Sequence, residues 1–89
     1  MNILKLTIKK KYFDEIKAED KKIEYRWYKP YWCARIERRH IDAVEFRNGR
    51  RKDSPKMLVQ CKEIKVINGS SPLGTGKQYA IILGAILAL

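Results

Sequence analysis

The chain has 89 residues, which is room for one domain and one hydrophobic core. Apolar residues make up 45% of the sequence, and this content argues against an intrinsically disordered chain. Twenty lysines and arginines against ten aspartates and glutamates give a formal net charge of +10. Such an excess attracts polyanions, so nucleic acid is the first class of partner to consider, and a surface that is basic only for solubility is the alternative.

The cysteines and the single histidine do not form a metal-binding pattern. Cys33 and Cys61 belong to no C-x-x-C pair, and His40 stands alone. We therefore expect no metal, no cofactor and two reduced thiols, at least one of them in the core, with a single disulfide as the alternative. The N-terminus lacks the apolar stretch of a signal peptide, and the apolar run over residues 79–89 is shorter than the about 20 residues that cross a bilayer. These features predict a cytoplasmic protein without membrane contact.

The first part of the chain alternates between strand and helix patterns. Residues 4–8 alternate apolar and polar side chains, which predicts a first strand. Apolar side chains then fall at helical spacing, which predicts a short helix over about residues 10–18. Alternation returns over residues 22–27 and predicts a second strand, with Tyr25 and Trp27 on its core side.

The middle of the chain predicts one more helix and two more strands. Pro30 suits the first turn of a helix. Alternation over residues 44–47 predicts a third strand, which stops at the turn signal Asn48-Gly49. Residues 57–66 predict a long fourth strand, and a change of phase within it indicates a bulge near Lys62.

The C-terminal part of the chain predicts a loop and a closing strand. Glycine and proline recur over residues 68–77 and predict a loop. Residues 78–89 are apolar on both sides and predict an interior strand that bends at Gly84, with a buried helix as the alternative. Taken together, residues 1–89 predict one α+β domain, in which about five strands curl into a small β-barrel with two short helices.

One stretch of the sequence resembles a known family. It is Lys9–Trp32, KKKYFDEIKAEDKKIEYRWYKPYW, in which Lys21, Glu24 and Arg26 match the last three fixed positions of the pattern G-x-K-x-x-E-x-R. The pattern is similar to that of the ASCH (activating signal cointegrator homology) family, which belongs to the PUA-like superfold. The resemblance implies a small barrel with a cleft beside the motif, and a role in binding RNA or in handling nucleosides and modified bases.

The glycine position of the motif departs from the family pattern. Glu19 stands there, so we expect the turn before the second strand to place its positive-φ residue at Asp20. Beyond the turn, Glu24 and Arg26 are two positions apart on a strand and share a face. They can present a carboxylate and a guanidinium fork to a base edge or a phosphate, and Lys21 adds a point charge. An ordinary surface salt bridge is the alternative.

Aromatic and basic residues extend this candidate site. Single-stranded nucleic acid is held by aromatic rings between basic side chains, and we expect one of Tyr28, Tyr31 and Trp32 to line the cleft. The basic loop over residues 50–56 would form a positive rim if it lay beside the second helix, and a solvated charged face is the alternative. The candidate nucleic-acid-binding residues are Lys21, Lys22, Glu24, Arg26, Tyr28, Lys29, Trp32, Arg35, Arg50, Arg51 and Lys77.

The stretch from Gly74 to Lys77, GTGK, does not form a phosphate-binding P-loop. The first glycine of that motif is replaced by Ser71, and Gln78 follows the lysine in place of serine or threonine. A flexible connecting loop is the simpler interpretation, with a weak anion site formed by backbone amides as the alternative.

Catalysis is the alternative function. Some relatives of the family hydrolyse acylated cytidine with a lysine, a threonine and a glutamate. Lys21 matches the lysine, but Glu24 stands at the threonine position, and Thr7 and Thr75 lie outside the motif. A Lys21–Glu24 acid–base pair could still act on a nucleoside or on RNA. The sequence therefore favours an RNA-binding module over a small hydrolase, and a protein-interaction domain whose charge serves only solubility is the third hypothesis.

Overall fold

The fold consists of five strands and two short helices, and the structure, a computed structural model, describes residues 1–89. This confirms the α+β class expected from the sequence. The strands are β1 (Ile3–Ile8), β2 (Ile23–Trp27), β3 (Ala43–Asn48), β4 (Lys56–Ser71) and β5 (Gly74–Ala88), and the helices are α1 (Lys10–Lys17) and α2 (Pro30–Ile36).

All five strands belong to one mixed sheet in the order β1-β3-β4-β5-β2. β1 and β3 are parallel, and the other neighbouring strands are antiparallel. β1 and β2 are the two edges and do not pair, so the sheet is open and the expected closed barrel is wrong. These edge strands have 6 and 5 residues, against 16 and 15 for β4 and β5, and a cavity described below separates them.

The hydrophobic core lies on one face of the sheet. The alternating residues Leu4, Leu6 and Ile8 of β1 are buried there, as the sequence predicts. The α1 helix covers this face with Phe13 and Ile16, which are one turn apart and both buried. Helix α2 begins at Pro30, which occupies the first turn where its missing amide donor costs nothing.

The β2 strand faces the opposite way from the prediction. Tyr25 and Trp27 are only half-buried and do not belong to the core cluster, whereas Glu24 is buried. The Trp27 ring lies against Gly74 and Gly76 of β5, where an added Cβ would be 3.3 Å from it. These glycines leave room for an indole outside the core, and the other face of β2 is therefore left to the charged residues.

The predicted loop over residues 68–77 is instead the end of a hairpin. β4 and β5 remain paired as far as Ser71 and Gly74, and only a two-residue turn connects them. The reason is the buried amide of Gln78, whose Nε2 donates to the carbonyl groups of Gly69 (3.2 Å) and Gly74 (2.9 Å). Its Oε1 accepts from the Ser71 hydroxyl. A polar network inside the hairpin thus replaces the apolar alternation that sequence patterns detect.

The C-terminal segment is strand β5, so the alternative of a buried helix is wrong. β5 lies between β4 and β2, as expected for a strand that is apolar on both sides. The expected irregularity near Lys62 is confirmed, because the β4–β5 register shifts between Cys61 and Glu63. Near this point Gly84 lies against the Gln60 side chain, which leaves no room for a Cβ.

The two cysteines are free thiols. Cys61 is buried in the core, and burial raises the pKa of its thiol above the ordinary value. Cys33 is half-buried on α2. Neither helix is long and apolar enough to span a membrane.

Candidate functional site

A cavity of about 310 Å³ lies between the two edge strands of the sheet, and we call it the edge cavity. β1 contributes Thr7 and Ile8 at its C-terminal end, and the turn Pro72–Leu73 of the β4–β5 hairpin forms another part of the wall. The remaining lining residues come from β2, from the start of α1, from the turn before β2 and from α2. The volume lies at the lower end of the range for small-molecule sites, which is about 300–1,000 Å³.

The three motif residues converge in the edge cavity. Arg26 donates from Nε and Nη2 to Glu24 Oε2 at 3.1 and 2.8 Å, and Lys21 Nζ lies 3.4 Å from Glu24 Oε1. The Glu24 side chain is 9% exposed, and those of Lys21 and Arg26 are 18% and 20% exposed. The group is therefore not the ordinary surface salt bridge that was the alternative. Two cations share one carboxylate, which leaves positive charge in a partly desolvated hollow.

The turn before β2 places Lys21 at the cavity. Glu19 adopts the left-handed conformation, with φ 63°, so the expectation that Asp20 would do so is wrong. The amides of Asp20 and Lys21 then both donate to the Glu15 carbonyl, at 2.9 and 3.2 Å, which ties the turn to the end of α1. The turn therefore has a non-glycine residue at positive φ, which strains the backbone by about 1–2 kcal/mol.

Aromatic rings lie beside both cations. The Arg26 guanidinium is 5.2 Å from the Trp32 ring centroid, and Lys21 Nζ is 5.6 Å from that of Tyr12. Trp32 and Tyr12 both line the edge cavity, so one of the three aromatic residues proposed for the cleft is found there. The cavity thus combines cationic donors with flat apolar walls, an arrangement suited to a ligand with both an anionic and an aromatic part.

Tyr28 and Lys77 lie outside the edge cavity, in a separate cluster around Glu37. Lys77 Nζ is 4.0 Å from the Tyr28 ring centroid, and the Tyr28 and Tyr79 hydroxyls both donate to Glu37 Oε1, at 2.9 and 2.7 Å. We call these two hydrogen bonds the Glu37 clasp. The bonds from Tyr79 and then Tyr28 hold the pKa of Glu37 below its ordinary value, and the Glu37 hydrogen bond raises the pKa of Tyr28. The clasp connects the end of α2 to β5.

The other candidate residues, Lys22, Lys29, Arg35, Arg50 and Arg51, are exposed and do not line the edge cavity. Lys22 pairs with Glu19 at 3.4 Å, and Lys29 precedes the first turn of α2. Arg50 and Arg51 are exposed in the connection between β3 and β4. Of the eleven candidates, the structure brings together four in the cavity, namely Lys21, Glu24, Arg26 and Trp32.

Eight of the twelve lining residues were missed in the sequence, namely Thr7, Ile8, Lys9, Tyr12, Tyr25, Trp27, Pro72 and Leu73. Tyr12 lies one turn before Ile16 on α1, so the helical spacing groups it with the core residues, and only its 40% exposure in the folded chain separates it from them. Nothing in the local pattern indicates that Thr7 and the hairpin turn approach the same cavity.

Comparison with known proteins adds no further assignment: no protein-family model, curated protein or solved structure matches the chain.

Proposed function

We propose that this protein is an RNA-binding module of PUA-like, ASCH-type ancestry that holds a nucleotide of single-stranded RNA in the edge cavity. The observation that carries the proposal is the convergence of Lys21, Glu24 and Arg26 in a partly buried cavity with an aromatic wall. The open sheet departs from the closed barrel of that superfold, so the ancestry is supported by the motif alone. The reduced thiols favour a cytoplasmic location for this function.

The charges of the cavity suit a phosphate. Lys21 and Arg26 carry two positive charges against the single negative charge of Glu24, and Lys9 adds a third cation to the lining. Arg26 donates to Glu24 through Nε and Nη2, and no protein group accepts a hydrogen bond from its Nη1. This free edge of the guanidinium can donate to a phosphate oxygen or to an acceptor on a base.

The size and acceptors of the cavity favour one nucleotide of RNA. A volume of about 310 Å³ has no room for a duplex, so the ligand must be a single-stranded segment. Glu24 Oε1 has only the long 3.4 Å contact with Lys21, and this oxygen retains the capacity to accept from a ribose 2′-hydroxyl. That group is the one that distinguishes RNA from DNA.

A chemical-shift map combined with a salt titration tests the proposal. Adenosine monophosphate and a short single-stranded RNA should shift the amide signals of Lys21, Glu24 and Arg26 and the indole signal of Trp32. The logarithm of the RNA affinity should fall linearly with the logarithm of the salt concentration. Shifts scattered over the basic surface, with none at the cavity, would overturn the proposal, as would affinity for single-stranded DNA equal to that for RNA.

A second candidate function, hydrolysis of a modified nucleoside, is favoured by one observation. Thr7 supplies a hydroxyl to the same cavity as Lys21 and Glu24, although it lies outside the sequence motif. A threonine, a lysine and a glutamate that line one cavity supply the types of group needed for nucleophilic attack on an amide. Turnover of N4-acetylcytidine that is lost in both Thr7→Val and Lys21→Ala, with unchanged thermal melting, would establish this function. An inactive wild-type protein excludes it.

A further inference from the structure

Helix α2 carries an aromatic surface outward from the edge cavity. The Tyr31 ring meets the Trp32 ring edge-on, with centroids 4.7 Å apart and an angle of 84° between the planes. Trp32 lines the cavity, whereas Tyr31 does not and is 57% exposed. A large aromatic side chain therefore lies in solvent directly beside the site, in contact with one of its walls.

Arg35 holds the exposed ring in place. Its guanidinium lies 3.5 Å from the Tyr31 ring centroid, and its Nη1 donates to the Tyr31 carbonyl at 3.0 Å. The guanidinium covers one face of the ring, and the residue as a whole is still 57% exposed. A ring fixed in this way loses little conformational entropy when a ligand stacks on it, so it is preorganised for binding.

The charge around Tyr31 selects an anionic partner. Helix α2, PYWCARI, contains no acidic residue, and Arg35 is the basic residue of its last turn. An exposed aromatic ring flanked by cations is the arrangement that proteins use to hold successive nucleotides of a single strand, with the base on the ring and the phosphate on the cation.

We propose that Tyr31 and Arg35 form a second nucleotide subsite, in which the base next to the one in the edge cavity stacks on the face of the Tyr31 ring that Arg35 does not cover. This inference rests on the proposed RNA-binding function and adds the length and shape of the bound ligand. The ligand spans at least two nucleotides, and the phosphate of the second lies near Arg35. Because the Tyr31 and Trp32 rings are almost perpendicular, bases on these two rings cannot stay stacked on each other. The strand must therefore turn at this step.

The test compares ligands of one and two nucleotides. Adenosine monophosphate and 5′-phosphorylated ApA, which carries one phosphate for each subsite and is called ApA below, are titrated into the full chain by calorimetry or by chemical shift. The proteins are the wild type, Tyr31→Ala, Tyr31→Phe and Trp32→Ala. We expect the wild type to bind ApA about five- to a hundredfold more tightly than the mononucleotide, the range for one stacked base. Tyr31→Ala should reduce the ApA affinity to that of the mononucleotide, and Tyr31→Phe should retain the difference. Trp32→Ala should weaken both ligands.

Each contrary outcome has a distinct meaning. If the mononucleotide shifts the cavity signals but ApA binds the wild type no better, the second subsite is wrong and the proposed function stands. If neither ligand binds, both proposals are wrong. If Tyr31→Ala weakens the mononucleotide as much as ApA, Tyr31 belongs to the first site and the inference fails. It also fails if an RNA duplex, or polyphosphate at equal charge, changes the chemical shifts of Tyr31 as much as single-stranded RNA does.

Discussion

Arg26 donates two hydrogen bonds to a single oxygen of Glu24, the residue two positions before it on β2, at 3.1 and 2.8 Å. A symmetric fork would engage both carboxylate oxygens. Here the second oxygen is left to Lys21 at 3.4 Å, and one edge of the guanidinium keeps its donors. Glu24 therefore orients Arg26 and leaves some of its hydrogen-bond donors free. The buried carboxylate pairs with both Lys21 and Arg26 in the edge cavity.

Arg26→Ala should weaken the binding of a short single-stranded RNA about tenfold or more, whereas Arg51→Ala should weaken it by less than about threefold. Arg26 is largely shielded from solvent in the cavity, but Arg51 is exposed, so water and salt screen its contribution. Fluorescence anisotropy with labelled RNA at one salt concentration measures both constants. Arg26→Lys should not restore the affinity, because an ammonium lacks the planar fork. Equal small losses from Arg26→Ala and Arg51→Ala would indicate a diffuse electrostatic surface.

Glu37→Gln should lower the stability of the fold at neutral pH, and this effect should disappear in acid. The hydrogen bonds from Tyr79 and Tyr28 lower the pKa of Glu37 from 4.5 in the folded state. The ionised group therefore stabilises the fold above that value, and the contribution is lost as the pH falls through the lowered pKa. Urea unfolding from about pH 7 to about pH 2 measures the difference between the two proteins. Glu63→Gln, at an exposed residue 3.9 Å from Lys65, is the control and should show little difference at any pH.

Glu19→Gly should stabilise the protein by up to about 1.5 kcal/mol. Glu19 has φ 63°, and glycine removes the steric strain of that conformation, worth about 1–2 kcal/mol, against about 0.5–1 kcal/mol of added chain entropy in the unfolded state. The exposed pair with Lys22, at 3.4 Å, contributes little to this balance. Glu19→Ala keeps the Cβ and should give no gain. An equal gain in both variants, measured by urea unfolding, would show that the carboxylate and not the backbone is responsible.

Gly76→Ala should destabilise the hairpin, and Gly69→Ala should not. Gly76 has φ 147°, and a Cβ there would lie 3.3 Å from the Trp27 ring, whereas a Cβ at Gly69 would meet nothing within 4 Å. We expect a loss of about 1–3 kcal/mol for Gly76→Ala and less than about 0.5 kcal/mol for Gly69→Ala. Thermal melting followed by tryptophan fluorescence measures both. Equal effects would mean that the hairpin tolerates the strain by moving away from Trp27.

Local patterns predicted most of the elements and part of the candidate site. The period-two alternation of β1, the proline at the start of α2 and the Asn48-Gly49 turn each reflect interactions between residues close in the chain. The same reasoning placed Glu24 and Arg26 on one face of β2, since strand geometry requires it. It failed over residues 68–77, where a single buried amide from Gln78 holds glycine-rich strands together. Such a network has no periodic signature in the sequence.

The sequence by itself determined where strands and helices form outside residues 68–77, that the chain is strongly basic, and that an acid and a base share one side of β2. Only the tertiary structure decided which side of β2 faces the core side of the sheet. Both sides carry large side chains, so alternation identifies two faces but cannot rank them, and the glycines of β5 that accommodate Trp27 settle the choice. The edge cavity likewise depends on strand order, because contacts between β1, β2 and the hairpin turn join segments that are distant in the chain.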